Sequence, residues 1–296
     1  MSHRWLTTYS FKFTCVLFIG SLLFHMTLSK IPNTTEVHFL NVGQGDASLI
    51  VTSQLHTVLI DGGPGEVVLE ELGEVLPFFV RDIDLMVLTH PHRDHVEGLI
   101  EVLNRYDVRH VLLAGDEYGS SLYREFLKRV RQESAARKTQ IHFAYADNDI
   151  LIPLASRSAL AEEVLLLDVL YPISPIVGKE FENTNNASVV MRMSQDERTF
   201  LFAGDCEKEC EEELLEYYPQ NKLKSDVLKI GHHGSRTSTS PQFLQTISPM
   251  IAVIQSGVDN QFEHPHLETL TKLQKTGVQI RRNDLEGRIT LSVNSE

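Results

Sequence analysis

The chain has 296 residues, enough for a single large α/β domain or two small ones, and ample for a full hydrophobic core. Lysine and arginine number 27 against 40 aspartates and glutamates, a formal charge of −13 with histidine neutral. That balance excludes a protein that grips nucleic acid through a broad basic face, although cations bound in a cleft can still dominate the local field there.

At the N-terminus, Arg4 and Lys12 precede an uncharged run from Phe13 to Phe24 that continues through Leu28 to Lys30. This is the layout of a secretory signal peptide, with Thr27 and Ser29 as small residues at a cleavage site. A spanning helix needs about twenty apolar residues, so residues 13–28 are somewhat short, and an uncleaved membrane anchor is the alternative. Both readings place the remainder outside the cytoplasm, secreted, periplasmic or anchored, because the positive charges lie before the run. Residues 1–30 are thus expected to be a signal peptide or a single anchor, 31–35 a polar linker, and 36–296 the catalytic domain.

The remainder reads as two similar halves. In the first, strand-like runs fall at 37–40, 48–51, 58–60, 85–88, 111–113 and 141–143, with helical periodicity at 67–79, 96–106 and 122–133. In the second, strands are expected at 164–171, 188–193, 199–202, 227–230, 251–254, 278–281 and 289–293, and helices at 207–218, 241–246 and 267–276. Many of the strands are wholly apolar, which fits sheets buried between other layers.

Polar clusters sit at the strand ends. Between the strand ending at Leu88 and the helix beginning near Val96 lies Thr89-His90-Pro91-His92-Arg93-Asp94-His95, three imidazoles and a carboxylate on a loop held by a rigid scaffold. His90 and His92, two apart, can face one point in an extended loop, while Asp94 and His95 turn toward a second, so two adjacent metal positions are inferred. Asp205 follows Gly204 after another strand, and His232 and His233 follow Gly231 after a third. A carboxylate can bridge two cations, and a second-half histidine can complete the site opposite Asp94 and His95. Taken singly, Asp205 would pass for a helix N-cap and His232 for a turn residue. Of the three cysteines, Cys206 and Cys210 lie four apart in a predicted helix, a spacing that rarely suits a disulfide, so two thiols are expected there.

The set Thr-His-Pro-His-Arg-Asp-His at 89–95, Gly204-Asp205 and Gly231-His232 resembles the ordered ligand motifs of the metallo-β-lactamase superfamily. More closely, residues 38–47, 59–63, 185–188 and 229–238 resemble the C-terminal domain of ComEC-type DNA-uptake (competence) proteins, and the likeness covers nearly everything from Glu36 to Val293. The multi-helix membrane channel of those proteins has no counterpart in this sequence, which carries one apolar run.

The resemblance implies a four-layer αβ/βα sandwich and two divalent metal ions, zinc or manganese. It implies that His90 and His92 hold the first cation, Asp94, His95 and His232 the second, and that Asp205 bridges them. Where many members place a further histidine, this chain has Asn183-Thr184-Asn185-Asn186, and asparagine oxygen favours harder cations such as manganese. Two such cations lower the pKa of a water between them and deliver hydroxide, which Asp94 could orient. His264 is a candidate acid for the leaving group, or a first-turn contact beside Pro265. Asn186, His233, Ser235, Arg236 and Ser238 are candidate substrate contacts, and Asp46 and Asp61 are expected to orient ligand imidazoles from behind. The expectation is an exported nuclease acting on DNA or another phosphodiester. The alternatives are a small-molecule ester, lactone or lactam hydrolase, and a non-catalytic anion-binding module of the same fold.

Overall fold

The computed structural model describes residues 30–137, 139–154, 163–195 and 198–293, and contains two seven-stranded sheets. The first runs in the order β14 (Ile289–Ser292), β1 (Glu36–Phe39), β2 (Ser48–Val51), β3 (Thr57–Ile60), β4 (Asp82–Leu88), β5 (Asp107–Leu113) and β6 (Gln140–Phe143). The second runs β13 (Gln279–Arg282), β12 (Ile251–Ile254), β11 (Val227–Lys229), β10 (Arg198–Phe202), β9 (Val190–Gln195), β8 (Glu163–Tyr171) and β7 (Ile150–Leu154). Helices α1 (Val67–Val75), α2 (Arg93–Arg105) and α3 (Ser121–Arg137) belong to the first sheet. With the second sheet go α4 (Lys208–Tyr217), the short α5 (Gln220–Leu223), α6 (Pro241–Ile247) and α7 (Leu267–Thr276); the short α8 (Asn283–Glu286) precedes β14.

Three buried clusters define four layers. Phe39, Ile50, Leu85, Val87, Leu112, Met191, Phe200 and Phe202 fill the space between the sheets. Met86 and Leu88 pack instead with Val96, Leu99 and Phe126 against the first set of helices, and Leu201, Leu228 and Ile254 pack with Leu214, Phe243 and Leu273 against the second. Leu85 to Leu88 is therefore apolar throughout because β4 is buried on both faces. The architecture is the expected α/β sandwich of the metallo-β-lactamase fold.

Several elements differ from the sequence reading. The first helix stops at Val75, not 79, since Pro77 disfavours helical geometry in the residue before it, and Phe78 and Phe79 are left exposed. Helix α2 begins at Arg93, so Asp94 and His95 sit in its first turn, where the partial positive charge of the helix end favours a carboxylate. The two halves are not separate in space, because β14 returns to pair antiparallel with β1, Glu36 opposite Ser292. Strand β7 carries the internal proline Pro153 and was not foreseen.

The cysteine expectation was wrong: Cys206 and Cys210 form a disulfide, with Cα atoms 5.5 Å apart. Cys206 lies in the turn before α4, which starts only at Lys208, so the pair is not confined to the geometry of one helix. Among the described residues no helix is long and apolar enough to cross a membrane. The run at 13–28 lies outside the described residues.

Candidate metal centre

The strand ends converge on one carboxylate oxygen. Asp205 Oδ2 lies 3.3 Å from His95 Nε2, 3.5 Å from His233 Nε2, 3.7 Å from His90 Nε2 and 4.0 Å from His232 Nε2. Asp94 Oδ2 sits 3.2 Å from His233 Nε2, and His92 Nδ1 lies 3.1 Å from His90 Nε2. His90, His95 and Asp205 form one cluster of ligand atoms, and Asp94, His95 and His233 another, each with its atoms within 4.8 Å of one another.

Backbone contacts hold these groups in place. Gly62 donates to the carbonyl of His95, and Gly98 donates to that of Gly63, so the end of β3 rests directly on the first turns of α2. A Cβ at Gly98 would fall 2.0 Å from the Gly62 oxygen, so the approach requires glycine. On the other side, Asp205 takes its position after Gly204, in the left-handed region at φ +52°, and its N–H donates to Ser188 Oγ. Val189 N–H donates to the Thr89 carbonyl, tying the second sheet to the ligand loop.

Behind the imidazoles stand buried carboxylates. Asp61 Oδ2 accepts from His95 Nδ1 at 2.8 Å and from the Thr89 hydroxyl at 2.7 Å, while Asp61 Oδ1 accepts from Thr89 N. Asp46 Oδ1 lies 3.1 Å from His233 Nδ1, and its other oxygen pairs with the buried ammonium of Lys229, which also donates to the Gly204 carbonyl. With Nδ1 engaged on the far side, each ring turns Nε2 toward Asp205, the tautomer a metal ligand needs.

Burial works against charge on Asp205, but His233, His95 and His90 outweigh it and hold its carboxyl well below the usual range. Burial also opposes charge on His233, where Asp205 and Asp46 push the imidazole up to about 10. A fully buried carboxylate facing four imidazoles calls for cations. Two atoms of the cluster fit that reading further: His95 Nε2 and Asp205 Oδ1 are buried without a hydrogen-bond partner among the described residues. The nitrogen and oxygen donor set could hold divalent metal cations.

The sequence between residues 40 and 257 matches the family model described as the metallo-beta-lactamase superfamily. The chain belongs to the metallo-beta-lactamase superfamily. As a member it is a metal-dependent hydrolase by class. It is 29% identical over 271 residues to "ComE operon protein 3" of Bacillus subtilis, covering 86% of this chain and 32% of that protein. It is 27% identical over 292 residues to "Recombination protein 2" of Haemophilus influenzae, covering 95% of this chain and 31% of that one. The chain thus spans about a third of the length of these relatives. Among solved structures, a long-form RNase Z from yeast superposes with a TM-score of 0.52 at 11% identity, over 90% of this chain and 42% of that one. The diiron beta-hydroxylase CmlA from Streptomyces venezuelae gives 0.52 at 15%, over 88% and 54%. These two likenesses are of fold.

Within this metallo-beta-lactamase site, the sequence reading placed His232 with Asp94 and His95, whereas the structure places His233 there. His232 turns Nδ1 to Glu207 Oε1 at 2.7 Å and keeps Nε2 at the edge of the cluster. Both histidines have left-handed backbones, at φ +46° and +53°, and the doubled turn lets adjacent residues reach the same carboxylate. His264 lies beside them, ring centroids 5.3 Å from His232 and 6.1 Å from His233. Burial and the neighbouring histidines lower it to about 4, so at neutral pH it offers an N–H rather than a full proton charge.

The candidate substrate contacts separate. Arg236 is exposed at the rim, 3.6 Å from Glu268. Ser235 is buried and shares a hydrogen bond with the Thr237 hydroxyl, and Ser238 is buried and donates to the Gly231 carbonyl. The hydroxyl of Ser238 is thus spent on shaping the turn. Asn186 accepts from Glu207 N and donates to Glu209, bracing the segment after Asp205.

Glu207 was missed altogether. Its carboxylate accepts from Asn183 Nδ2 at 2.8 Å and Asn185 Nδ2 at 3.0 Å as well as from His232. Burial is outweighed by these bonds, which bring it down to about 2. Because Glu207 fixes the amide nitrogen of Asn185, the oxygen of that side chain faces away from it, and Asn185 Oδ1 is buried without a hydrogen-bond partner among the described residues. Two positions beyond Asp205, in a run of acids that reads as a helix face, Glu207 gives no sequence signal of its own. Nor does Lys229, which reads as the polar end of a strand.

Proposed function

We propose that this protein is an exported hydrolase of phosphodiesters, most concretely a nuclease that cuts DNA with two bound divalent cations. The observation that carries the reading is the single oxygen of Asp205 shared among imidazoles from two sheets, with Asp94 beside it. His90, His92 and Asp205 would hold one cation; Asp94, His95, Asp205 and one of His232 and His233 would hold the other. Such a pair supplies Lewis acidity, lowering the pKa of water and offsetting the charge that develops on a phosphate. The protein's own residues do the rest. Asp94, reaching into the cluster, accepts a proton from water; His264 donates an N–H to the departing oxygen; Arg236 meets phosphate at the rim. Asp46, Asp61 and Glu207 keep the imidazoles oriented so that no reorganisation accompanies reaction.

Similarity to competence proteins supports nucleic acid as the substrate class. The oxygen of Asn185, where an imidazole is usual, supports manganese over zinc at the first position. The apolar run at 13–28 and the Cys206–Cys210 disulfide together support export, since disulfides persist in oxidising compartments. The test is cleavage of end-labelled DNA with added manganese or zinc, beside an Asp205→Asn variant. Metal-dependent cutting that the variant lacks is expected, and equal cutting by the variant would refute the assignment.

A further inference from the structure

An aromatic residue stands exposed next to the cluster. Phe262 is 50% exposed, yet one of its faces is covered by His264, with ring centroids 5.8 Å apart and planes within 27°. His264 in turn lies 6.1 Å from His233. Two ring-to-ring steps therefore connect the exposed phenyl to His233, whose Nε2 lies 3.5 Å from Asp205 Oδ2.

The loop that carries Phe262 is built to hold still. Asn260 Oδ1 accepts from both Phe262 N and His264 N, at 3.2 and 3.0 Å. The Asn260 amide donates to the carbonyls of Gly257 and His264. Gly257 N–H donates to Gln44 Oε1, so the loop is also anchored on the first sheet's side of the cleft. Phe262 is thus held half-exposed on a braced loop at the rim of a polar site. Across the cluster a second ring, Tyr118, sets its edge against His92 at 5.6 Å. The two sheets thus each contribute one aromatic side chain beside the ligands.

We infer that Phe262 is a stacking platform for the base next to the scissile phosphate, and that the cleft in consequence selects unpaired strands over duplex. This deepens, and rests on, the nuclease reading. A base inside a duplex is already stacked on its neighbours and its face cannot reach a protein ring, whereas an unpaired base can lie on Phe262. Duplex binding leans somewhat more on lysines and arginines than single-strand binding does, since a duplex neutralises more phosphate charge per contact, while stacking adds an uncharged contribution open only to unpaired bases. Arg236, the cation at this rim, is itself shared with Glu268.

The experiment compares the full-length protein with Phe262→Ala, Phe262→Leu and Phe262→Trp, measuring anisotropy of a labelled oligonucleotide, single-stranded and as a duplex, beside cleavage kinetics on both. Thermal melts establish that each variant is folded. Phe262→Ala should weaken single-strand binding on the order of tenfold, raising KM more than it lowers kcat, and leave duplex binding unchanged. Phe262→Trp should restore the affinity, and Phe262→Leu, with bulk but no π face, should not. If the alanine variant weakens both forms equally, or neither, or if leucine restores what tryptophan restores, the inference is overturned. Selective single-strand binding through Phe262 without cutting would instead overturn the hydrolytic reading and leave the platform standing. Cutting of both forms indifferent to Phe262 would do the reverse.

Discussion

Nδ1 of His95 lies 2.8 Å from Oδ2 of Asp61, and neither side chain reaches solvent. Asp61 directly follows the third strand and His95 lies in the first turn of the helix after the fourth, so their contact is set by the close docking of Gly62 on the backbone around Gly98. The carboxylate fixes which nitrogen of His95 faces Asp205. Replacing Asp61 with Asn keeps the shape but removes the charge that favours this tautomer. Metal affinity, measured by competition with a chromogenic chelator, should fall about 10- to 100-fold. Unchanged affinity would show that the tautomer is set elsewhere.

Glu207 plays the corresponding part for His232 and Asn185. In Glu207→Gln the amide can satisfy one of its three side-chain donors' positions only by presenting a donor to another, so the set cannot be satisfied as a whole. Turnover or metal affinity should drop on the order of tenfold or more, with the fold retained by circular dichroism. A variant equal to wild type in both would reduce Glu207 to a helix-end residue.

The disulfide between Cys206 and Cys210 closes a very short loop, and the chain-entropy relation gives about 2 kcal/mol for a loop of this size. The Cys206→Ala/Cys210→Ala protein should lose roughly that much in urea unfolding. In the wild type unfolded without reductant, iodoacetamide should leave both cysteines unmodified. Alkylation of both would contradict the pairing.

Asp116 provides the pH test, since it is buried with Oδ2 lacking a hydrogen-bond partner among the described residues. Burial pushes it up to about 7 from 3.8. The folded state then binds more protons than the unfolded between those values, so stability falls as pH rises from about 4 to about 7 and the loss is complete above that. At 1.36 kcal/mol per unit the ceiling is about 4 kcal/mol. Asp116→Asn, neutral throughout, should gain on the wild type progressively from pH 5 to pH 8 in urea unfolding. Parallel curves would place Asp116 in contact with water.

The strand-end motifs were legible because ligand types are rare and spaced. His90, His92, Asp94 and His95 sit in six residues, and the strand before them is apolar on both faces because both are buried. What could not be read was three-dimensional. Between His232 and His233 the choice depends on two left-handed residues, which sequence does not mark. The return of β14 to the first sheet is a long-range pairing no local pattern reports. The disulfide was misjudged because the four-residue spacing was read with helix geometry for both cysteines, whereas Cys206 lies in the turn before the helix and only Cys210 is in it. Phe262 escaped notice because an isolated aromatic in a polar loop becomes informative only once His264 is seen beneath it.

The account turns on Asp205 joining two cations, and the most direct test is the metal content of the purified full-length protein and of Asp205→Asn after dialysis against manganese or zinc, by plasma mass spectrometry. About two ions per wild-type chain are expected, as for two cations sharing Asp205, with a clear deficit in the variant. A wild type that retains no metal, or a variant that retains as much, would contradict it.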